Sequence, residues 1–143
     1  MTHGTDTLEE AALFLELTLR TKKPVVVTGS MRAATALSAD GPANLYQAVQ
    51  VSASTQAVGR GVLVVLNGEI FSGSRVIKGH SIATDAFSAS AGGVIGSAYS
   101  GHTFFFVPPG FLPLHGAFHK VLQNEQALPQ VGCLLYTSPS PRD

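Results

Sequence analysis

Apolar residues near the start of the chain recur every three to four positions, a spacing that predicts an amphipathic helix beginning at Thr7. Thr7 and Glu10 have the spacing of a capping box, in which each side chain hydrogen-bonds to the other residue's backbone amide. Pro24 is expected to stop this helix, because proline lacks the amide hydrogen that a helix interior needs. Further apolar residues widen the apolar stripe, so we expect a mostly buried helix: Leu13, Phe14 and Leu17.

Two runs of aliphatic residues, 25–27 and 62–66, predict short buried strands. The first run leads into 28–30, whose polar residues are typical of a functional loop at the carboxyl end of a parallel strand. Asn67 and Gly68 follow the second run and predict a tight turn, after which the chain returns antiparallel.

A second helix is expected between these runs, since Pro42 suits the first position of a helix. Its packing face is predicted from the spacing of Leu45, Ala48, Val49 and Ser52. The Gly- and Ser-rich stretch 72–110 predicts irregular β-hairpins. The run 104–107 predicts a strand buried against the sheet, with a subunit contact as the alternative. Helix alternating with strand predicts an α/β fold with a flavodoxin-like, doubly wound, mostly parallel sheet.

The 143 residues carry nine basic and nine acidic side chains, which give a formal net charge of zero. This length fits one domain. Because no stripe of lysine and arginine is visible, nucleic-acid binding is not expected. The aliphatic run 62–66 is too short to span a membrane, and Met1 leads into polar residues instead of an apolar signal-peptide core, so no membrane association is expected.

Both ends of the chain are expected to be incomplete. The segment 133–143 resembles the translation of a sequencing-library adapter, although a natural tail rich in serine and proline is the alternative. We therefore assign 1–132 to a partial domain and exclude 133–143, including Cys133, from the fold and the chemistry. No strand precedes the loop at 2–6, where an α/β unit needs one, so an upstream strand is also expected.

Polar residues at 3–6 and 28–30 lie at predicted carboxyl ends of strands, where open α/β sheets bind ligands. Thr5 and Asp6 precede the first helix, whose free amides favour a carboxylate or a developing oxyanion. Helix capping alone is the commoner role for such residues. The spacing of the histidines to other ligand residues suggests no zinc site: His80, His102, His115 and His119.

Several blocks resemble, in order and spacing, the bacterial L-asparaginase and glutaminase-asparaginase family: HGTDTLEE at 3–10, VVVTGSMR at 25–32, SADGPANLY at 38–46 and RGVLVVLN at 60–67. The resemblance extends from Thr2 to about Phe87 and returns at 128–132. It implies that 1–132 is an incomplete N-terminal asparaginase domain. It also implies a hydrolase that converts L-asparagine, or L-glutamine, into aspartate, or glutamate, and ammonia. The implied reaction passes through a threonine acyl-enzyme and uses neither a cofactor nor a metal.

The resemblance also selects candidate site residues. Thr5 matches the family's second active-site threonine, Lys78 matches the lysine joined to it, and Asp6 matches the aspartate that receives the substrate's α-ammonium group. A cationic lysine lowers the cost of removing a proton from a hydroxyl or water, and a carboxylate holds the lysine. Ser30 matches the position whose backbone carbonyl faces the substrate amide.

Other parts of the family's site have no match in this sequence. The Thr-Gly-Gly-Thr-Ile motif with the first nucleophilic threonine is absent, as are its partner tyrosine, the Gly-Ser loop that binds the substrate carboxylate, and the glutamate that a neighbouring subunit of the homotetramer supplies. We therefore expect this polypeptide alone to hydrolyse no asparagine. Two alternatives stay open: a non-catalytic flavodoxin-like module in which 38–41 and the helix start at Thr7 bind an anion, and an amidotransferase subunit. Periplasm and cytoplasm are both open as locations, because a signal peptide would precede Met1.

Overall fold

The computed structural model describes residues 1–90, 93–110 and 115–120. Within these ranges the helices are α1 (Leu8–Thr18) and α2 (Gly41–Ala53), and a 3-10 turn spans Thr55–Ala57. The strands are β1 (Val25–Val27), β2 (Val62–Leu66), β3 (Glu69–Ser72), β4 (Val76–Lys78), β5 (Phe87–Ala89), β6 (Gly96–Tyr99) and β7 (His102–Phe105). No helix in the described ranges combines the length and the apolar character needed to cross a membrane.

Five strands form one mixed sheet in the order β1-β2-β3-β6-β7, and β4 and β5 form a separate hairpin. β1 and β2 are parallel, since α2 lies in the crossover between them. Asn67 and Gly68 have φ values of 52° and 76°, which form the predicted tight turn and make β2 and β3 antiparallel. The other strand pairs are also antiparallel. The α/β class is confirmed, but the described sheet is mixed instead of mostly parallel, because hairpins replace helical crossovers after β2.

The helices cover opposite faces of this sheet, as the doubly wound prediction requires. Successive side chains of a strand point to opposite faces, so the buried strand β2 contributes to two cores. The α1 side contains Leu8, Ala12, Val62, Val64 and Leu66. The α2 side contains Ala48, Val51, Leu63 and Val65. Both helices thereby pack against β2, one on each face of the sheet.

Helix α1 begins after Thr7 as predicted, but the predicted capping box is wrong, because the Thr7 side chain makes no cap hydrogen bond. The prediction of a mostly buried helix is also wrong, since Leu13 and Phe14 are 39% and 48% exposed. A helix on one face of a sheet buries a single stripe. That stripe includes Glu16, whose carboxylate accepts a hydrogen bond from the Val62 amide at 2.6 Å.

Helix α2 begins at Gly41, one residue before the predicted proline, and it is rotated relative to the predicted packing face. Ala48 alone of the four predicted residues is buried, and Leu45 and Val49 are exposed. The buried positions are Asn44, Ala48 and Val51. Asn44 is buried because its amide group is hydrogen-bonded, and a polar residue of this kind is invisible to a search for apolar periodicity.

The predicted β-hairpins within 72–110 are present as β4–β5 and β6–β7. The prediction that 104–107 is buried is wrong for Phe104 and Phe106, which are 55% and 64% exposed. Phe105 points to the opposite face and packs against the core on the α2 side, where the Arg60 guanidinium lies 3.9 Å from the ring centre. Because successive side chains point to opposite faces, Phe104 and Phe106 are exposed while Phe105 packs against the core.

Some sequence predictions lie outside the described residues. They are the resemblance at 128–132 and the adapter-like segment 133–143 with Cys133. The assignment of 1–132 to one partial domain also extends beyond the described ranges and stays a prediction.

Candidate functional site

The loop before α1 and the end of β4 bring three polar side chains together. Lys78 Nζ donates hydrogen bonds to Thr5 Oγ1 at 3.1 Å and to Asp6 Oδ1 at 2.8 Å. Thr5 and Asp6 lie immediately before α1, whereas Lys78 is the last residue of β4, 73 residues after Thr5. The structure thus places side by side the three residues that the sequence analysis selects as a candidate catalytic group.

Backbone contacts attach the Thr5 loop to the end of β1. The His3 amide donates to the Thr28 carbonyl at 2.8 Å, and Thr2 forms a parallel bridge with Thr28. Gly29 permits this close approach, because a Cβ atom there would lie 2.5 Å from the His3 carbonyl oxygen. The loop is therefore fixed at the carboxyl end of a parallel strand, as in other open α/β sites.

The electrostatics of the group favour an ionised aspartate. The hydrogen bond from Lys78 and the positive charge of Lys78 lower the pKa of the Asp6 carboxyl below its ordinary value. Asp6 Oδ1 accepts the lysine hydrogen bond, while Oδ2 accepts none from the residues that the structure describes. Asp6 thus keeps one carboxylate oxygen available for a cationic ligand while the other holds Lys78.

An open depression of about 280 Å³ lies beside the group and is lined by Asp6, Lys78, Gly79, His80 and Ser81. His80 Nδ1 accepts hydrogen bonds from the backbone amides of Ile82 and Ala83, each at 3.1 Å. The imidazole therefore stabilises the turn that follows Lys78. Among the residues that the structure describes, no three His, Cys, Asp or Glu side chains lie together as a metal site would require.

Ser30 lies in a neighbouring depression of about 320 Å³, whose lining also includes His3, Gly4 and Gly41. It is not among the residues that line the depression beside Lys78. Gly4 and Asp6 line different depressions, and Thr5 lies between them in the chain. The structure therefore places Ser30 next to the loop that carries the candidate group and outside the group itself.

Asp40 and Asn44 hold the backbone on both sides of Ser30. The Asp40 carboxylate accepts hydrogen bonds from the amides of the two residues after Ser30, each at 2.9 Å. Asn44 Nδ2 donates to the carbonyl oxygen of Gly29 and to Asp40 Oδ2, both at 3.0 Å. Burial acts to raise the pKa of Asp40, but these donated hydrogen bonds outweigh it and hold the pKa below its ordinary value.

Neither Asp40 nor Asn44 was among the site residues predicted from the sequence. The available signal is the spacing of an acidic residue and an amide residue four positions apart at the start of α2, which places them on one helix face. Asn44 Oδ1 also accepts a hydrogen bond from the Asn67 amide at 3.0 Å. The turn after β2 and the loop after β1 are thus joined through one buried side chain.

Known proteins are similar in sequence to the part of the chain that carries the candidate site. The family described as "Asparaginase, N-terminal" matches residues 1–109. L-asparaginase 2 of Bacillus subtilis (strain 168) is 54% identical over 97 residues, which are 68% of this chain and 26% of that protein. The glutaminase-asparaginase of Acinetobacter glutaminasificans is 50% identical over 106 residues, which are 74% of this chain and 32% of that protein.

A solved structure is similar in fold and in sequence. The crystal structure of a probable cytoplasmic L-asparaginase from Campylobacter jejuni superposes with a TM-score of 0.77 at 46% identity, covering 81% of this chain and 36% of that one. This chain therefore spans between 26% and 36% of the length of these three proteins.

Proposed function

This chain belongs to the asparaginase family, because residues 1–109 match that family's N-terminal domain, and we propose that it provides part of an amidohydrolase site. This part binds the α-ammonium group of the substrate and transfers protons. The observation that supports the proposal is the contact of Lys78 Nζ with both Thr5 and Asp6. The proposed reaction is hydrolysis of the side-chain amide of L-asparagine. The bond between the acyl carbon and nitrogen breaks, the nitrogen leaves as ammonia, and the oxygen of water stays on the carboxylate product.

Lys78 and Thr5 supply the proposed proton chemistry. Because Lys78 Nζ donates to Thr5 Oγ1, the threonine keeps its own hydroxyl hydrogen for another acceptor. The nearby positive charge stabilises negative charge on Oγ1 or on a water beside it. Proton removal at this point therefore costs less than from an ordinary hydroxyl group.

Asp6 is the proposed receptor for the α-ammonium group of the substrate. Its carboxylate is exposed, its pKa is lowered by Lys78, and its Oδ2 accepts no hydrogen bond within the described ranges. An ionised carboxylate of this kind forms charge-assisted hydrogen bonds with an ammonium group. The backbone carbonyl of Ser30 is the proposed acceptor for the substrate amide, and Asp40 and Asn44 hold the peptide around it.

L-Glutamine is the second proposed substrate. A relative with 50% identity is named a glutaminase-asparaginase, so the family resemblance includes an enzyme named for both activities. The two substrates differ by one methylene, which a binding pocket distinguishes only modestly.

The proposed route passes through a threonine acyl-enzyme. The nucleophilic threonine of the Thr-Gly-Gly-Thr-Ile motif has no counterpart in the 143 residues. We therefore propose that this polypeptide alone is inactive, and that the intact gene product assembles the complete site, as a homotetramer.

Ammonia release from L-asparagine by the intact gene product tests the proposal. Thr5→Ala should abolish release, whereas Thr7→Ala should not, because the exposed Thr7 side chain makes no cap hydrogen bond. Equal rates in the two variants would contradict the proposed function of Thr5. The 143-residue polypeptide should release no ammonia, and release above its own Thr5→Ala variant would contradict its proposed inactivity.

A further inference from the structure

We infer that Glu9 is a positioning residue for Lys78, holding the end of β4 against the start of α1 so that the lysine reaches Thr5 and Asp6. The inference rests on the proposed function only in giving Lys78 a catalytic purpose. The contact itself is a feature of the fold: Glu9 Oε2 accepts a hydrogen bond from the backbone amide of Lys78.

The hairpin geometry explains why this amide needs a partner. In the β4–β5 hairpin Lys78 lies opposite Phe87, and the Gly79 amide donates to the Ala86 carbonyl. Along an antiparallel strand, successive backbone amides point alternately toward the partner strand and away from it. Because the Gly79 amide points toward β5, the Lys78 amide points away from β5. β4 has no second neighbouring strand among the described residues, and the Glu9 carboxylate takes the place of one.

The position of Glu9 links both halves of the candidate group. Glu9 is the second residue of α1, and the loop that ends at this helix carries Thr5 and Asp6. The same helix start therefore fixes Thr5 and Asp6 through the chain and fixes Lys78 through a carboxylate hydrogen bond. A charged acceptor makes this hydrogen bond stronger than a neutral one.

Glu9 acts on the lysine through the backbone and not as its counter-ion. Within the described part of the chain, the ion-pair partner of Lys78 Nζ is Asp6. Glu10, the next residue, is exposed and has the same charge, which makes it a matched control for Glu9.

The direction of the Asp6 pKa distinguishes positioning from simple charge. Removing the negative charge of Glu9 would by itself lower the pKa of a nearby carboxyl. Loss of the Lys78 contact would raise it, since Lys78 is what lowers the pKa of Asp6. A rise after removal of Glu9 therefore reports a displaced lysine.

The test is a carboxyl ¹³C NMR titration of Asp6 in the 143-residue chain. Glu9→Ala should raise the Asp6 pKa toward its ordinary value. Glu9→Gln should not raise it, because its amide oxygen still accepts the hydrogen bond, and Glu10→Ala should not raise it either, because the contact with Lys78 is kept. If Glu9→Ala does not fold, Glu9→Asp, one methylene shorter, should give the same rise. An unchanged or lowered Asp6 pKa in a folded Glu9→Ala or Glu9→Asp chain overturns the inference.

Activity of the intact gene product separates this inference from the proposed function. Glu9→Ala should reduce kcat by roughly tenfold to a hundredfold, the order of loss expected from a misplaced catalytic group, and Glu9→Gln should restore most of it. A raised Asp6 pKa with unchanged kcat would support the positioning by Glu9 and contradict the catalytic function of Lys78.

Discussion

Lys78 and Asp6 form an ion pair with N–O distance 2.8 Å in which the lysine side chain is 15% exposed and the aspartate side chain is 96% exposed. A pair with one partner in solvent contributes little to folding stability, because water screens the attraction. The pair nevertheless orients the lysine toward Thr5 and leaves an aspartate oxygen open. We therefore interpret it as a feature of the site and expect its removal to change function more than stability.

Gly29→Ala should disturb the site through the backbone. An added Cβ would lie 2.5 Å from the His3 carbonyl oxygen, whereas a Cβ at Gly4 would meet nothing within 4 Å. The clash should push the Thr5 loop away from β1 and destabilise the fold by about 1–3 kcal/mol. Thermal unfolding of Gly29→Ala and Gly4→Ala checks this, and equal melting temperatures would show that the loop adapts without cost.

Glu16→Ala should destabilise the chain strongly. The Glu16 side chain is 1% exposed and accepts the Val62 amide hydrogen bond at 2.6 Å, so its loss leaves a buried backbone donor without its partner. The expected cost is about 2–4 kcal/mol. Urea unfolding measures the change, and Glu10→Ala on the exposed side of the helix should stay within about 0.5 kcal/mol of the parent. Similar midpoints for both variants would contradict a structural function of Glu16.

Asp40 should make the fold sensitive to acid. Its pKa is below the ordinary value, so its ionised form contributes stability that is present above the ordinary aspartate pKa and is lost as pH falls through the lowered one. Asp40→Ala should cost about 1–3 kcal/mol at neutral pH and should weaken the loss of stability in acid. Unfolding free energies across this pH range measure both effects.

The exposed Asp85 provides the control for Asp40. Asp85→Ala should keep both the neutral stability and the acid dependence of the parent chain. An acid dependence in Asp40→Ala as steep as that of Asp85→Ala would contradict the assignment to Asp40.

Local patterns predicted the elements of this fold well, because their signals lie within a few residues. The run 62–66 and the Asn67-Gly68 turn gave a buried strand and an antiparallel return. The helix faces were predicted less well, because Asn44 and Glu16 are buried by hydrogen bonds to distant backbone and not by apolar character. The proportion of antiparallel pairs was underestimated, because the direction of the later strands depends on connections with weak sequence patterns.

The candidate site shows the same limit. The residues alone could not join Lys78 to Thr5, since 73 positions separate them and only the fold brings them together. Their selection came from the family resemblance. Glu9, Asp40 and Asn44 were missed because each acts on the backbone of another segment, which the local sequence around these residues does not identify.

Lys78 is proposed to be required for amide hydrolysis, and ammonia release by the intact gene product with Lys78→Met tests this most directly. Lys23→Met is the matched control, since Lys23 is exposed and lies away from the Thr5–Asp6 loop. Lys78→Met is expected to lower kcat by roughly 10²- to 10⁴-fold, the contribution typical of positioned proton transfer, while Lys23→Met keeps the parent rate. Equal kcat values for Lys78→Met and Lys23→Met, in proteins that remain folded, would contradict this requirement.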